Sequence, residues 1–300
     1  MGALMRLDSI VKSILSGLVL VLLAAPVYAE GGDDRAFKVC ADGNYMPMSN
    51  RKLEGFENKV AQLFADQLGM ELKYYWFPQR LGFIRNTLRK KDDAGNSLCD
   101  VVIGVPAGYE LVKPTKPWYR STYALVYVKG QGFDDIGSAA DILALNPERR
   151  GKIRFGMHER NPGVRWLADN NMLDQLVPYV AQLGDPNVRP GEQESEDLLN
   201  GKIDMAVLWG PLAGELKRIT KDKEIAILPI ESDRQKGLVM DYAIAMGVHF
   251  PNGEMADQLN QLIEANRDQI KSILAQYNVP LIEPIETQAD KEKADDDDDD

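Results

Sequence analysis

Aromatic and methionine side chains are the most distinctive candidate contact residues of this 300-residue chain. They lie where predicted strands end or turns begin: Tyr45, Met46, Met48, Tyr109, Trp118, Tyr119 and Trp209. Rings and thioethers provide adaptable apolar surfaces, which are common where proteins bind apolar groups or each other. The set therefore favours an apolar ligand or a protein loop or helix over a small zwitterion. The alternative for each member is packing in the core.

Polar side chains near the same turns form a second candidate set: Asn44, Arg80, Arg120, His158 and Asn161. Arg80 in PQRLGF and Arg120 in WYRS would contact a ligand or partner, or would pair with a nearby carboxylate and fix a loop. His158 and Asn161 precede a helix that Pro162 opens, and backbone N–H groups at such a start attract anions and polar solutes. A hydrogen-bonded loop histidine is the alternative for His158.

No catalytic or metal-binding motif accompanies these residues. Gly-x-Ser-x-Gly, Gly-x-Gly-x-x-Gly and Walker A patterns are missing from the sequence. Glu110 and Glu192 would be the glutamates to nominate as acids, but no neighbouring residue marks either as catalytic. With two histidines and no Cys-x-x-Cys, there is no zinc or haem signature. We therefore predict no enzyme activity, no metal and no cofactor.

The N-terminus has the pattern of a secretory signal peptide, residues 1–29. Arg6 and Lys12 precede an apolar run, and Val27-Tyr28-Ala29 fits a small-residue cleavage site. The run is shorter than the roughly 20 residues of a spanning helix, so an uncleaved anchor is the weaker alternative. We predict an exported, periplasmic protein with no membrane span.

The net charge of −11 is concentrated at the C-terminus, since residues 286–300 carry −7. The rest of the chain has an ordinary surface charge, and nothing predicts nucleic-acid binding. Residues 286–300 lack apolar periodicity and are predicted to form a disordered acidic tail. The terminal aspartates could gather Ca²⁺ or a lanthanide, or dock on a basic patch, but the run offers no preorganised cage.

The two cysteines, Cys40 and Cys99, lie at the end of one predicted strand and the start of another. An oxidising compartment would preserve a disulfide between them. If the strands are parallel neighbours, however, opposite ends put the Cα separation in doubt, because a bridge needs less than about 7 Å. A disulfide and two buried thiols both remain open.

Predicted strands alternate with amphipathic helices along the body of the chain: Phe37–Ala41, Glu71–Phe77, Asp100–Val105, Tyr123–Lys129, Ile153–Met157, Met205–Trp209, Ile225–Ile230 and Tyr242–Gly247. Runs such as DVVIGV and IDMAVLW are apolar without alternation, which favours parallel strands covered by helices on both faces. The fold class is α/β with doubly wound sheets. The glycines after Lys129 indicate that the chain passes there into a second lobe, and it is expected to cross back near Asp241. The predicted lobes are therefore 36–129 with 241–285, and 130–240.

Several stretches resemble the type II periplasmic solute-binding proteins: FKVCADGNYMPMSN with LEGFENKVAQLFADQLGMEL, LCDVVIGVPAGYELVKPTKPWYRSTYALVYVKG, and LLNGKIDMAVLWGP. They cover most of residues 37–280. VCADGNYMPMSN, WFPQRLGFIRNTL and PWYRSTYALV more closely resemble one branch, the J proteins of methanol-oxidation operons. The resemblance implies a two-lobed fold with a hinge of two crossings, and a cleft at the carboxyl ends of the strands.

Two positions depart from the amino-acid-binding relatives. Those proteins clamp the ligand carboxylate with an arginine after the third strand, where this chain has Gly108. They hold the ligand ammonium with an aspartate at the end of the IDMAVLW-type strand, where this chain has Trp209. The resemblance thus implies a non-catalytic periplasmic accessory of quinoprotein methanol dehydrogenase, with a small apolar or peptide ligand as a further possibility for the cleft. The alternative is a transport receptor for a small non-amino-acid solute.

Overall fold

The computed structural model describes residues 36–180, 185 and 187–285, which belong to one compact unit. The predicted signal peptide and acidic tail lie outside the described residues. The strands are Ala36–Ala41 (β1), Asn44–Tyr45 (β2), Ser49–Asn50 (β3), Glu71–Trp76 (β4), Val101–Pro106 (β5), Lys113–Pro114 (β6), Tyr119–Val128 (β7), Phe155–His158 (β8), Leu176–Tyr179 (β9), Met205–Trp209 (β10), Ile225–Pro229 (β11) and Asp241–Val248 (β12). The α-helices are Phe56–Leu68 (α1), Phe83–Asn86 (α2), Ala139–Ala144 (α3), Pro147–Arg150 (α4), Gly163–Asp169 (α5), Glu192–Leu199 (α6), Gly210–Ile219 (α7), Gly253–Ala265 (α8) and Arg267–Ala275 (α9).

One long mixed sheet connects the two halves of the molecule in the order β4-β1-β5-β12-β7-β10-β8-β9, with β11 also paired to β7 and β6 to β12. Strand β7 is shared between the halves. Its residues 119–122 pair with β12, and its residues 123–128 pair with β10 and β11. The chain therefore passes into the second half along β7 and returns through β12, which gives the two crossings of a two-lobed fold.

Each half has apolar packing on both faces of its part of the sheet. In the first half, α1, α8 and α9 cover β1 and β5, and Phe56, Phe64 and Leu259 are completely buried there. In the second half, Phe155 and Trp166 pack on one face, while Leu198 and Leu216 pack on the other. Covered faces on both sides explain why these strands lack apolar alternation. The lobe boundaries at residues 130 and 240 remain a prediction.

The fold class and all eight predicted strands are confirmed, with two differences in detail. Strand β7 begins at Tyr119, earlier than predicted, because its first residues pair with β12. The parallel pairing expected for β5 and β10 is found on one side of each strand only. Strand β5 is parallel to β1 but antiparallel to β12, and β10 is parallel to β8 but antiparallel to β7.

Cys40 and Cys99 form a disulfide, with their Cα atoms 5.5 Å apart. Strands β1 and β5 are indeed parallel neighbours, and Cys40 is in register with Val102. The chain bends around residues 98–100, just before β5, and this bend brings Cys99 beside Cys40. The expected separation of opposite strand ends therefore does not apply.

Candidate functional site

A cavity of about 690 Å³ lies where strands β1, β5, β8 and β10 end. In a twisted α/β sheet this edge is the usual binding site, because the loops that follow the strands converge there. Seven of the contact candidates from the sequence line this cavity: Tyr45, Met48, Arg80, Tyr119, His158, Asn161 and Trp209. We call this lined space the cleft.

Aromatic rings form one wall of the cleft. The ring of Tyr123 lies 5.3 Å from that of Trp209 and 6.3 Å from that of Tyr242, and the latter two rings are 6.1 Å apart. Tyr119 is almost fully buried, and burial raises the pKa of its hydroxyl, although the neighbouring Trp209 side chain opposes this shift. Tyr123 and Tyr242 come from the two strands that connect the halves, so this wall spans the crossing point.

Trp118 does not belong to the cleft, and its prediction as a contact residue is corrected. Only 3% of it is exposed, and its indole N–H donates to the Ile103 carbonyl at 2.9 Å. Its ring packs against Phe56 with centroids 6.1 Å apart. Neighbouring side chains on this extended segment face different surroundings. Trp118 therefore supports the core, while Tyr119 reaches the cleft.

Arg120 is likewise not a ligand contact. It is 1% exposed, and its Nε and Nη2 atoms both lie 2.5 Å from Asp241 Oδ2. Its Nη1 donates to the Ile285 carbonyl at 3.2 Å. The alternative of an ion pair that fixes the local structure is the one the structure shows.

Three further predicted residues are absent from the lining of the cleft. The backbone N–H of Asn44 donates to Asp42 in the turn after β1. Met46 packs against the core of the first half. Tyr109 is 36% exposed and lies outside the cavity. Arg80 does line the cleft, with its guanidinium over the ring of Phe77 at 5.0 Å.

His158 and Asn161 lie on the second half of the cleft, at the end of β8. Asn161 is fixed, since its Nδ2 donates to the Val207 carbonyl at 2.7 Å and its Oδ1 accepts from the Gly163 N–H. The buried Nδ1 of His158 has no hydrogen-bond partner among the described residues. Burial lowers the pKa of His158, although Glu159 opposes this shift, so the ring is neutral at neutral pH.

Glu57 is the principal cleft residue that the sequence did not reveal. It is the second residue of α1, and its carboxylate packs against Gly104, where a Cβ atom would stand 2.2 Å from Glu57 Oε1. Burial raises the pKa of Glu57 to about 8. Its charge in turn adds to the burial that raises the pKa values of Tyr45 and Tyr119.

Glu194 is a second buried acid of the cleft. It is 5% exposed, and burial raises its pKa, although its own backbone N–H opposes this shift. The sequence offered no signal for either glutamate, because acids in the first turn of a helix are common exposed charges that complement the helix dipole. Tyr123 and Tyr242 were also missed, since both lie within strands that were assigned to the sheet.

The described residues contain no group of three or more His, Cys, Asp or Glu side chains that could hold a metal ion. Within the same residues, no helix is long and apolar enough to cross a membrane.

Known proteins match this chain over most of its length. The sequence is 25% identical over 277 residues to Protein MoxJ of Paracoccus denitrificans, covering 89% of this chain and 95% of the relative. The crystal structure of the periplasmic binding protein XoxJ from Methylobacterium extorquens AM1 is 30% identical, covering 82% of this chain and 99% of that one, with a TM-score of 0.65. No family model matches the sequence.

The chain belongs to the MxaJ/XoxJ family. The crystal structure of MxaJ from Methlophaga aminisulfidivorans MPT supports the fold, with a TM-score of 0.68 at 23% identity, over 82% of this chain and 100% of that one. The family is the one that the sequence motifs resembled, so the methanol-oxidation assignment of those motifs is confirmed. The cleft is that of a periplasmic binding protein.

Proposed function

We propose that this protein is a non-catalytic periplasmic accessory of PQQ-dependent methanol dehydrogenase, which assists the assembly, maturation or activity of that enzyme. The observation that carries the proposal is Trp209, at the end of β10 in a member of the MxaJ/XoxJ family. This position lines the cleft, and amino-acid receptors use it for a charged anchor. An indole ring there provides contact surface for a partner instead of a salt bridge to a solute.

The rim of the cleft supports a protein partner. Leu81 and Val180 both line the cavity and are 74% and 55% exposed. Exposed apolar side chains around a concave aromatic surface are typical of protein interaction sites. A partner segment would bury Leu81 and Val180 at the rim while it contacts Trp209 inside. Periplasmic location is part of this proposal, supported by the binding-protein relatives.

The test is association of the purified protein with methanol dehydrogenase from the same periplasm, measured by biolayer interferometry. We expect a saturable complex, and at least tenfold weaker association for Trp209→Ala, which corresponds to about 1.4 kcal/mol or more. Tyr109→Ala is the matched control, because Tyr109 is an exposed aromatic residue outside the cavity. An absence of association, and no effect on the recovery of active dehydrogenase from its apo form, would refute the proposal.

A transport receptor for a small non-amino-acid solute is the second candidate. The volume of the cleft favours it, since about 690 Å³ lies within the usual range of small-molecule sites. A receptor would close on its solute with micromolar affinity or better and would not need the dehydrogenase. Small-angle scattering with and without periplasmic extract fractions distinguishes the two when it is combined with the association assay, because a receptor becomes more compact with a dialysable fraction and does not bind the dehydrogenase.

A further inference from the structure

The carboxylate of Glu57 has an unusual environment for a charged group. It lines the cleft, lies against Gly104, and accepts no hydrogen bond from any described residue. Glu57 is half-buried at the wall of the cavity, and a carboxylate there without a hydrogen-bond partner is poorly solvated, a cost that a cationic ligand would relieve. Glu57 interacts electrostatically with the tyrosines Tyr45 of β2, Tyr74 of β4 and Tyr119 of β7, and none of them carries a positive charge.

The aromatic rings near Glu57 also favour a cationic ligand. Aromatic faces carry negative charge density and attract ammonium groups within about 6 Å, most strongly when the site is shielded from water. Tyr45 and Tyr119 interact electrostatically with Glu57, and the Trp209 side chain neighbours the Tyr119 hydroxyl. A carboxylate beside several rings is a combination that binds organic cations, because the rings also accept the apolar body.

The net charge of the cleft also favours a cationic ligand. Six carboxylates and three guanidiniums line it. Arg189 pairs with Glu192 and Arg80 stacks on Phe77. None of the three arginines, Arg160 included, opposes the rise in the pKa of Glu57, for which burial is the cause. Glu194 is a second buried acid in the cavity. An anionic ligand is disfavoured by this excess of negative charge, and a bare metal ion by the lack of a three-ligand group among the described residues.

We propose that the cleft binds an organic ammonium ion, with its charged head at the Glu57 carboxylate and its apolar body against Tyr45, Tyr119 and Trp209. The ammonium group can belong to a free amine or to a lysine side chain on a protein segment, since both present the same chemistry. The inference does not depend on the dehydrogenase, because the site lies within this chain alone.

Binding of the cation is coupled to the release of a proton. Glu57 is mostly protonated at neutral pH in the free protein, because burial raises its pKa to about 8. Only the carboxylate attracts the ammonium group, so affinity rises as the pH rises. From about pH 7 to about pH 9 the dissociation constant should fall roughly tenfold.

The test is isothermal titration calorimetry of the whole protein with n-hexylammonium chloride, in buffers without a free amine. We expect a dissociation constant below about 1 mM at about pH 9. At about pH 7, titrations in phosphate and in MOPS should show release of roughly 0.9 proton per bound ion. 1-Hexanol, a neutral probe of the same length, should bind at least tenfold more weakly.

Glu57→Gln should weaken hexylammonium binding at least tenfold and abolish proton release. Glu254→Gln is the matched control, since Glu254 is likewise the second residue of a helix, α8, but is exposed and lies outside the cavity, so affinity should stay within about twofold. Gly104→Ala provides a second route, because its methyl group would displace the Glu57 carboxylate. No binding by the wild type, equal binding of 1-hexanol, or unchanged binding by Glu57→Gln would overturn the inference.

A second titration with Nα-acetyl-lysine N-methylamide identifies the source of the ammonium group. Tighter binding of this amide than of hexylammonium supports a lysine on a protein segment, and tighter binding of hexylammonium supports a free amine. Failure of hexylammonium to bind overturns the inference whatever the amide does, and it leaves the dehydrogenase association, which is measured separately, unaffected.

Discussion

Arg120 and Asp241 join the two strands through which the chain crosses between the halves, with Arg120 Nη2 2.5 Å from Asp241 Oδ2. Ser232 and Arg234 also donate to Asp241, and Arg120 donates to the Ile285 carbonyl. Burial raises the pKa of Asp241, but the hydrogen bonds from Ser232 and Arg120 outweigh it and hold the pKa below its usual range. The pair therefore fixes the crossing point beside Tyr242, whose ring belongs to the aromatic wall.

Asp241→Asn should destabilise the protein by about 3–5 kcal/mol, because it removes the carboxylate charge that pairs with the buried Arg120 guanidinium. Urea unfolding followed by circular dichroism measures this loss. Asp135→Asn is the control, since Asp135 pairs with Arg149 at the surface and should cost no more than about 1 kcal/mol. Equal effects of the two substitutions would show that the crossing pair does not contribute to stability.

The pairing of Arg120 with Asp241 also shows why only part of the site could be predicted. The two residues are 121 positions apart, and no local pattern links them. Trp209 was predictable, because a residue that ends a buried strand of this fold must face the cleft. Glu57 was not predictable, because its environment includes Gly104 and Tyr119, which come from the distant strands β5 and β7.

The disulfide between Cys40 and Cys99 should contribute roughly 4 kcal/mol, because it closes a loop with a sequence separation of 59. Replacing both cysteines with alanine should lower the free energy of unfolding by about this amount. Urea unfolding of the wild type in dithiothreitol gives an independent measure and should match the double variant. An unchanged midpoint in both experiments would contradict the bridge.

Glu57 should make stability depend on pH in a defined direction. Burial raises its pKa to about 8, so the folded protein holds this proton more tightly than the unfolded chain. The resulting stabilisation is fully present below the ordinary glutamate pKa of about 4.3 and is lost as the pH rises towards 8. The loss from this group is at most about 1.4 kcal/mol per pH unit.

Glu57→Gln cannot ionise, so its free energy of unfolding should fall less between about pH 5 and about pH 8 than that of the wild type. Urea unfolding at several pH values measures both curves. Glu159→Gln should follow the wild-type curve, because Glu159 is exposed. Parallel curves for Glu57→Gln and the wild type would refute the burial of this carboxylate.

Trp118→Ala should lower stability by about 3–5 kcal/mol, as expected for a large side chain removed from a core. The indole leaves a cavity beside Phe56, and the Ile103 carbonyl loses its donor. Tyr109→Ala should change stability by less than about 0.5 kcal/mol, since Tyr109 is exposed. Thermal unfolding of both variants is the measurement. A Trp118→Ala protein as stable as the wild type would contradict the assignment of Trp118 to the core.

The protein should not bind free amino acids tightly. Gly108, at the position of the carboxylate-clamping arginine, is exposed and has φ +72°, so it forms a turn outside the lining of the cleft. At the other anchor position Trp209 offers a ring instead of a carboxylate, and the excess negative charge of the cleft repels an α-carboxylate. Calorimetry with the twenty amino acids at millimolar concentration should therefore detect no dissociation constant near or below about 10 μM, a binding free energy of roughly 7 kcal/mol. Hexylammonium serves as the positive control for the same cleft. An amino acid that binds with a micromolar dissociation constant would favour a transport receptor. It would also remove the reason for assigning the aromatic wall to a protein partner.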